Sequence, residues 1–407
     1  MKQKLVNISI AAAFEGVKHP CFVVSNSFSR KAFAAMITLG LVFSAAESFA
    51  AGFAAQDLSA SALGLANAFT AQADDPSAMA YNPAGIAWQP GTGLMLGGVV
   101  PYRNSSAVVA SGVVSNGGED PAVAHFYANW MPLDGHWGVG FGVNSPFMLD
   151  NQWGPTVFGG QANQTRLKTF RTSLDVIYAL DSRLALAVGG DWYVASGDVN
   201  SIGNSFHGTE KVAFGGHGSL MWKFHPGWSL GAMYRFSPGL KLSGDNIAAV
   251  SGPAHVSVQL PDEARIGLSY DIQDNFKLEI DGSWTGWSTL SDLNIVAQNG
   301  QLNPLNMEDS FGFMAGLRWT WRENNQIRFG YAFDQAASLD NAFSARLTDA
   351  DQQRVSLGFG ADGFGAHLDT AFIYTFLPDR TIANGKAFDG TYRDRRFTLA
   401  ISVSALF

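Results

Sequence analysis

The sequence predicts an all-β chain, a transmembrane antiparallel β-barrel of about 14 strands behind a non-alternating N-terminal segment. Three observations predict it. From residue 92 to the end, short segments alternate apolar and polar side chains with a period of two, the pattern of strands with two different environments. Their connections alternate long and short along the chain, as in a barrel with tight turns at one end and loops at the other. Composition agrees: of 407 residues, 45 are Gly, 30 Phe and 11 Trp, and only 15% are charged. Glycine and aromatics do not favour helices. Past the N-terminus, no run approaches the roughly 18 apolar residues of a transmembrane helix.

Residues 1–50 read as a leader with a signal peptide. Arg30 and Lys31 precede an apolar run from Ala32 to Ala46, and Ser48-Phe49-Ala50 places small residues at the two positions a signal peptidase reads. A mature chain beginning near Ala51 is expected. Residues 1–29 make the leader long, as a real extension or as a start codon assigned upstream of Met36 or Arg30. The other reading of the run, an anchoring helix, is opposed by its shortness and by the small and polar residues after it. Cys21 precedes the cleavage site, so the mature chain is expected to hold no disulfide and no cysteine metal site. A net charge of -8 without a Lys/Arg run argues against a nucleic-acid partner.

Residues 51–91 do not alternate. They carry Ala51-Gly52-Phe53, Ser59-Ala60-Ser61-Ala62 and Asp74-Asp75-Pro76, and end in Tyr81-Asn82-Pro83-Ala84-Gly85. The barrel is expected over 92–407, with strands at 92–102, 121–131, 136–146, 168–180, 183–195, 211–223, 227–238, 256–272, 275–288, 308–321, 326–335, 351–361, 365–377 and 393–407. Two of them show the faces. Phe276, Leu278, Ile280 and Trp284 oppose Lys277, Glu279, Asp281 and Ser283; Phe397, Leu399, Ile401 and Val403 oppose Thr398, Ala400, Ser402 and Ser404. The apolar face is assigned to lipid and the polar face to the lumen. A soluble sandwich would split into smaller domains at this length, and no break in composition appears. Trp130, Trp137, Trp222, Trp228, Trp284, Trp287, Trp319 and Trp321 lie near strand ends, where interfacial girdles form. Phe407 closes an alternating strand and resembles the C-terminal signature of assembled outer-membrane barrels, which implies barrel assembly machinery and outer-membrane lipid as partners.

The non-alternating segment resembles the N-terminal hatch of the FadL/TodX (OMPP1) family, whose mature chains begin much like Ala51-Gly52-Phe53 and contain the motif found here at Asn82, Pro83 and Ala84. Further segments resemble the family in family order: Tyr234-Arg235-Phe236-Ser237, Leu260 to Leu268, Trp284 to Ser288, Arg328 to Asp334 and Asp349 to Arg354. The resemblance implies a Gram-negative outer-membrane channel for passive uptake of hydrophobic molecules, above all long-chain fatty acids, by lateral diffusion through a plugged barrel. Family members have a kinked third strand that opens the wall sideways. Gly138 to Gly142 followed by Asn144-Ser145-Pro146 fits such a kink, because Pro removes a ladder donor and Gly weakens pairing.

By the resemblance, Phe53 lines an internal pocket, and Asn82, Pro83 and Ala84 hold the hatch near strand three, with Pro146 at the gate. An acid headgroup needs cationic donors. Here the chain departs from the family: Ser196 to Ile202 and Asn294 stand where fatty-acid members have basic residues, and the loops 196–210 and 239–255 are short. Arg265, Arg328 and Arg354 fall on the lumen register as substrate-binding candidates; the alternative is that they pair with inward carboxylates such as Asp271 and Asp334. Aromatic or alkane hydrocarbons, or a general porin, are the competing readings. No Ser/His/Asp cluster emerges, His125, His217 and His367 reading as isolated lumen or surface groups, so neither an enzyme nor a cofactor is expected.

Overall fold

A computed structural model describes residues 52–54, 57–118, 121–248, 251–290, 295–296, 305–322 and 325–407. The expected leader lies outside the described residues. Fourteen antiparallel strands close into one barrel: β1 (Gly91–Val109), β2 (Val123–Met131), β3 (Trp137–Asn144), β4 (Gln164–Ala179), β5 (Leu184–Ser201), β6 (Asn204–His225), β7 (Trp228–Phe236), β8 (Glu263–Gln273), β9 (Phe276–Thr285), β10 (Ser310–Thr320), β11 (Gln326–Asp334), β12 (Gln352–Gly363), β13 (Ala366–Phe376) and β14 (Gly390–Leu406). Each pairs with its neighbour in sequence, and β14 pairs with β1 from Gly93 opposite Leu406 to Val108 opposite Thr391. Phe407 completes the seam by exchanging backbone hydrogen bonds with Thr92, 2.9 Å each way. Closure leaves no unpaired edge at the seam, which is the condition for strands to cross a bilayer.

Alternation sets which side chains meet lipid. On β14, Leu399, Ile401 and Val403 are 50%, 52% and 46% exposed, whereas Thr398, Ala400 and Ser402 are 6%, 6% and 1% exposed. Likewise Val188 and Trp192 of β5 point outward, and Asp191 and Tyr193 between and beside them are buried. Trp130 and Trp137 meet edge to face at the short-turn end, 5.8 Å between ring centres. Trp287 is a correction to the girdle assignment: it is fully buried inside the barrel. It falls in the 3₁₀ turn Trp287–Thr289 after β9 has ended, so strand alternation does not govern where it points.

Two segments expected as loops are strands. Residues 196–210 are the outer ends of β5 and β6, paired down to Ser201 opposite Asn204. Within 239–255, Gly239–Ile247 turns back on Gly252–Gln259 and also pairs with β6. Both extend the wall at the long-loop end.

The hatch fills the lumen with two short helices, α1 (Ala60–Leu63) and α2 (Ala78–Tyr81), and a 3₁₀ turn Pro83–Trp88. Ser59 caps α1 by accepting a hydrogen bond from the Ala62 N–H. The hatch is rich in Ala and Ser because its backbone lies against the wall: a Cβ on Gly330 would come within 2.2 Å of the Leu65 carbonyl carbon, and one on Gly231 within 2.1 Å of the Thr70 oxygen.

Candidate functional site

The site forms where the third strand breaks. β3 ends at Asn144, and its last partner on β2 is Phe126 opposite Val143. After Ser145, Pro146 and Phe147, the chain resumes as Met148–Gln152, whose strand pairing is to β4 alone. Proline has no N–H to donate, which suits it to such a gap. Phe147 is tied to β4 instead: its N–H donates to Thr169 Oγ1 at 3.1 Å, and that hydroxyl donates to the Phe147 carbonyl at 2.8 Å.

The first described residues of the hatch sit in this break. The Met148 N–H donates to the Phe53 carbonyl at 3.1 Å, and Ala54 forms an antiparallel bridge with Phe147. The Phe53 ring packs edge-on against Trp287 at 4.7 Å and Phe147 at 6.1 Å. Gly52 is required here, since it adopts φ +59° and a Cβ would lie 2.5 Å from the Trp287 ring. Its N–H donates to Asp349 Oδ1 at 3.2 Å, and the N–H groups of Ala337 and Ser338 donate to the other oxygen at 2.8 and 3.0 Å. Burial pushes the Asp349 carboxyl up to about 6, against these hydrogen bonds and the nearby charge of Arg380.

Behind Phe53 the inward side chains are apolar. Phe147, Tyr193, Phe206, Leu240, Val256, Leu260, Trp287 and Leu290 form one buried cluster with it. Leu240, Val258 and Leu290 of that cluster also line a groove of about 340 Å³ at the long-loop end. These three residues join the groove to the cluster, and Lys241, Ser257, Gln259 and Thr289 make the rest of its lining largely polar.

Below the cluster, the hatch is clamped. Asp281 accepts the N–H groups of Phe69 and Thr70 at 3.0 Å each, and Glu279 accepts those of Ala71 and Gln72 at 2.6 and 2.8 Å. Arg318 donates twice to Asp74, at 3.0 and 2.7 Å. Asn82 is fully buried and donates to the carbonyls of Thr70 (2.7 Å) and Leu220 (3.0 Å), while the Ala84 N–H donates to Asn82 Oδ1 and to Ser219 Oγ. These bonds tie the Asn82-Pro83-Ala84 motif to β6, and the turn Pro83–Trp88 that it opens also lies against β3, as does Met79 against Gly140.

The three arginines expected to bind substrate do not converge. Arg328 pairs with Asp369 and lines a polar cavity of about 530 Å³ at the short-turn end, away from the apolar cluster. Arg354 pairs with Asp334 at 2.6 Å and Asp57 at 3.4 Å. Arg265 lies over the Tyr81 ring at 5.7 Å. Asp271 takes Lys277 at 3.3 Å rather than an arginine. His217 is not isolated, which is a further correction: its Nε2 lies 2.6 Å from Asp175 and its Nδ1 3.0 Å from Asp191. Asp191 also accepts from Arg235 Nε at 3.0 Å and from Ser173 Oγ at 2.5 Å. Ser173 therefore bonds a carboxylate rather than the imidazole, and no nucleophile–base pair results. Sequence reasoning passed over this cluster, with Arg171 beside it, although the inward register of Arg171, Ser173, Asp175 and Asp191 was there to be read.

The family described as outer membrane protein transport protein (OMPP1/FadL/TodX) matches residues 41–242 and 192–407. Among solved structures, the fold is similar to a Pseudomonas aeruginosa FadL homologue, with TM-score 0.77, 16% identity, and coverage of 88% of this chain and 100% of that one. It is also similar to the CymD monoaromatic hydrocarbon channel (TM-score 0.65, 17% identity, 86% and 97% covered) and to the P. putida toluene transporter TodX (TM-score 0.63, 16% identity, 82% and 94% covered). No match was found among curated proteins.

Proposed function

From the premise that this chain belongs to the OMPP1/FadL/TodX family of outer-membrane transport proteins, we propose that it mediates passive uptake of hydrophobic molecules, released sideways through the break in β3. One observation carries the reading: Phe53 and Ala54 occupy the break through a single antiparallel bridge and one further backbone hydrogen bond, with the apolar cluster directly behind them. Apolar molecules leave water for such a surface spontaneously, and the groove at the long-loop end supplies an entrance. The axial route is closed by the clamped hatch, which also argues against a general porin. Displacing Phe53 and Ala54 connects the cluster to the wall. Asn82, Pro83, Ala84 and Pro146 serve as hatch and gate, and Phe53 contacts substrate.

Long-chain fatty acids are the substrates we propose first. Monoaromatic hydrocarbons are the second reading, favoured by the similarity of fold to CymD and TodX. Uptake of labelled oleate and labelled toluene by cells with and without the protein tests both, beside a Phe53→Ala variant. Protein-dependent uptake of either compound that changes in the variant supports the channel. Equal uptake with and without the protein refutes it.

A further inference from the structure

The apolar cluster ends, toward the short-turn side, on a buried guanidinium. Arg171 follows Thr169 at the next inward position of β4, opposite Asn144 on β3 and Tyr193 on β5. Thr169 holds Phe147, and Tyr193 belongs to the apolar cluster, so Arg171 stands at its floor. The side chain is 0% exposed. Its nearest carboxylate contact is Asp191 Oδ1, 4.0 Å from Nε, and that carboxylate already accepts from Arg235 and Ser173 and lies against His217. Nε, Nη1 and Nη2 make no hydrogen bond of ordinary geometry. Tyr193 Oη beside it, and Trp287 Nε1 within the cluster, are likewise buried without one.

A buried charged donor without an acceptor is destabilising, more so than a neutral one. Its planar fork matches two oxygens of a carboxylate. We propose that Arg171 is the head-group site of this channel: the ionised carboxylate of an amphipathic acid docks on its guanidinium with Tyr193 Oη as a further donor, and the apolar body lies against Phe147 and Trp287. The inference rests on the channel reading and deepens it, since a hydrocarbon has no group for Arg171 to hold. Arg171 was absent from the sequence-derived candidates; of the three that were named, Arg354 lines a cavity of about 130 Å³ with Phe53 and Met148, where it is held by Asp334 and Asp57, and Arg328 lies in the cavity at the short-turn end.

The test is binding of labelled oleate and labelled oleyl alcohol to the purified protein, folded by heat-modifiable gel mobility, in wild type, Arg171→Gln, Arg171→Lys and Tyr193→Phe. Wild type is expected to prefer the acid. Oleate affinity is expected to fall about tenfold or more in Arg171→Gln and to recover in part in Arg171→Lys, with the alcohol within about twofold throughout. If acid and alcohol bind wild type equally, or weaken in parallel in Arg171→Gln, the head-group role is overturned and Arg171 is structural. Should Arg171→Gln fail to fold, the wild-type comparison and Tyr193→Phe still decide, a selective loss for the acid being expected. Wild type that binds neither ligand overturns the channel reading itself.

Discussion

The clamp on the hatch gives a quantitative prediction. Glu279 and Asp281 of β9 accept four consecutive backbone N–H groups, from Phe69 to Gln72, and all the atoms involved are buried. Replacing Glu279 by Ala removes the acceptor for two of them. The change leaves two buried N–H groups unpaired at about 1 to 3 kcal/mol each, so the segment should lose about 2 to 6 kcal/mol of local stability. At 1.4 kcal/mol per factor of ten, that raises local opening about 30-fold or more. The barrel should survive, because its strands are joined by their own ladders and by lipid contact. Hydrogen exchange of residues 69–72 in the detergent-solubilised protein reads the effect, with heat-modifiable mobility confirming closure. Exchange unchanged from wild type would refute the assignment of the clamp.

Three further outcomes are expected. Leu399→Arg places a cation on the lipid face at a cost of up to about 2 to 4 kcal/mol, whereas Thr398→Arg points into a cavity, so folding yields should separate the two. Asn82→Ala loses its bonds to Thr70 and Leu220 and should reduce substrate uptake while heat-modifiable mobility stays normal; unchanged uptake would leave the motif as a turn. Burial raises the carboxyls of Asp349 to about 6 and of Asp351 to about 8, from 3.8, the second with help from Asp349. Groups raised on folding stabilise most below their unfolded value and lose that contribution as pH rises through the folded one. Docking of the loop 336–351 and of Gly52 should therefore weaken from about pH 4 to pH 8, measured by hydrogen exchange corrected for intrinsic rate, and Asp349→Asn should flatten the lower part of that profile.

Alternation with period two determined strands and faces from sequence alone, because a side chain on a paired strand has only two directions to point and lipid and lumen demand opposite chemistry. Leu399 and Thr398 were assignable for that reason, as was the break at Pro146, a residue that cannot donate to a ladder. Ala51-Gly52-Phe53 and Asn82-Pro83-Ala84 marked the hatch. Alternation ends where strands end, and there the tertiary structure decided. Trp287 lies in a 3₁₀ turn and swings into the barrel to meet Phe53, more than 230 residues away in the chain. Asn82 finds its acceptor on β6 rather than β3 because the hatch path through the lumen, held by Glu279 and Asp281, sets which wall it faces. Alternation placed Arg265, Arg328 and Arg354 inward and offered Asp334 as a partner, which Arg354 takes, but it said nothing of depth. Depth along the lumen separates Arg328, paired in the polar cavity at the short-turn end, from Arg171 at the floor of the apolar cluster; both read as inward residues of a strand, and only closure of the barrel around the hatch gives them different neighbours.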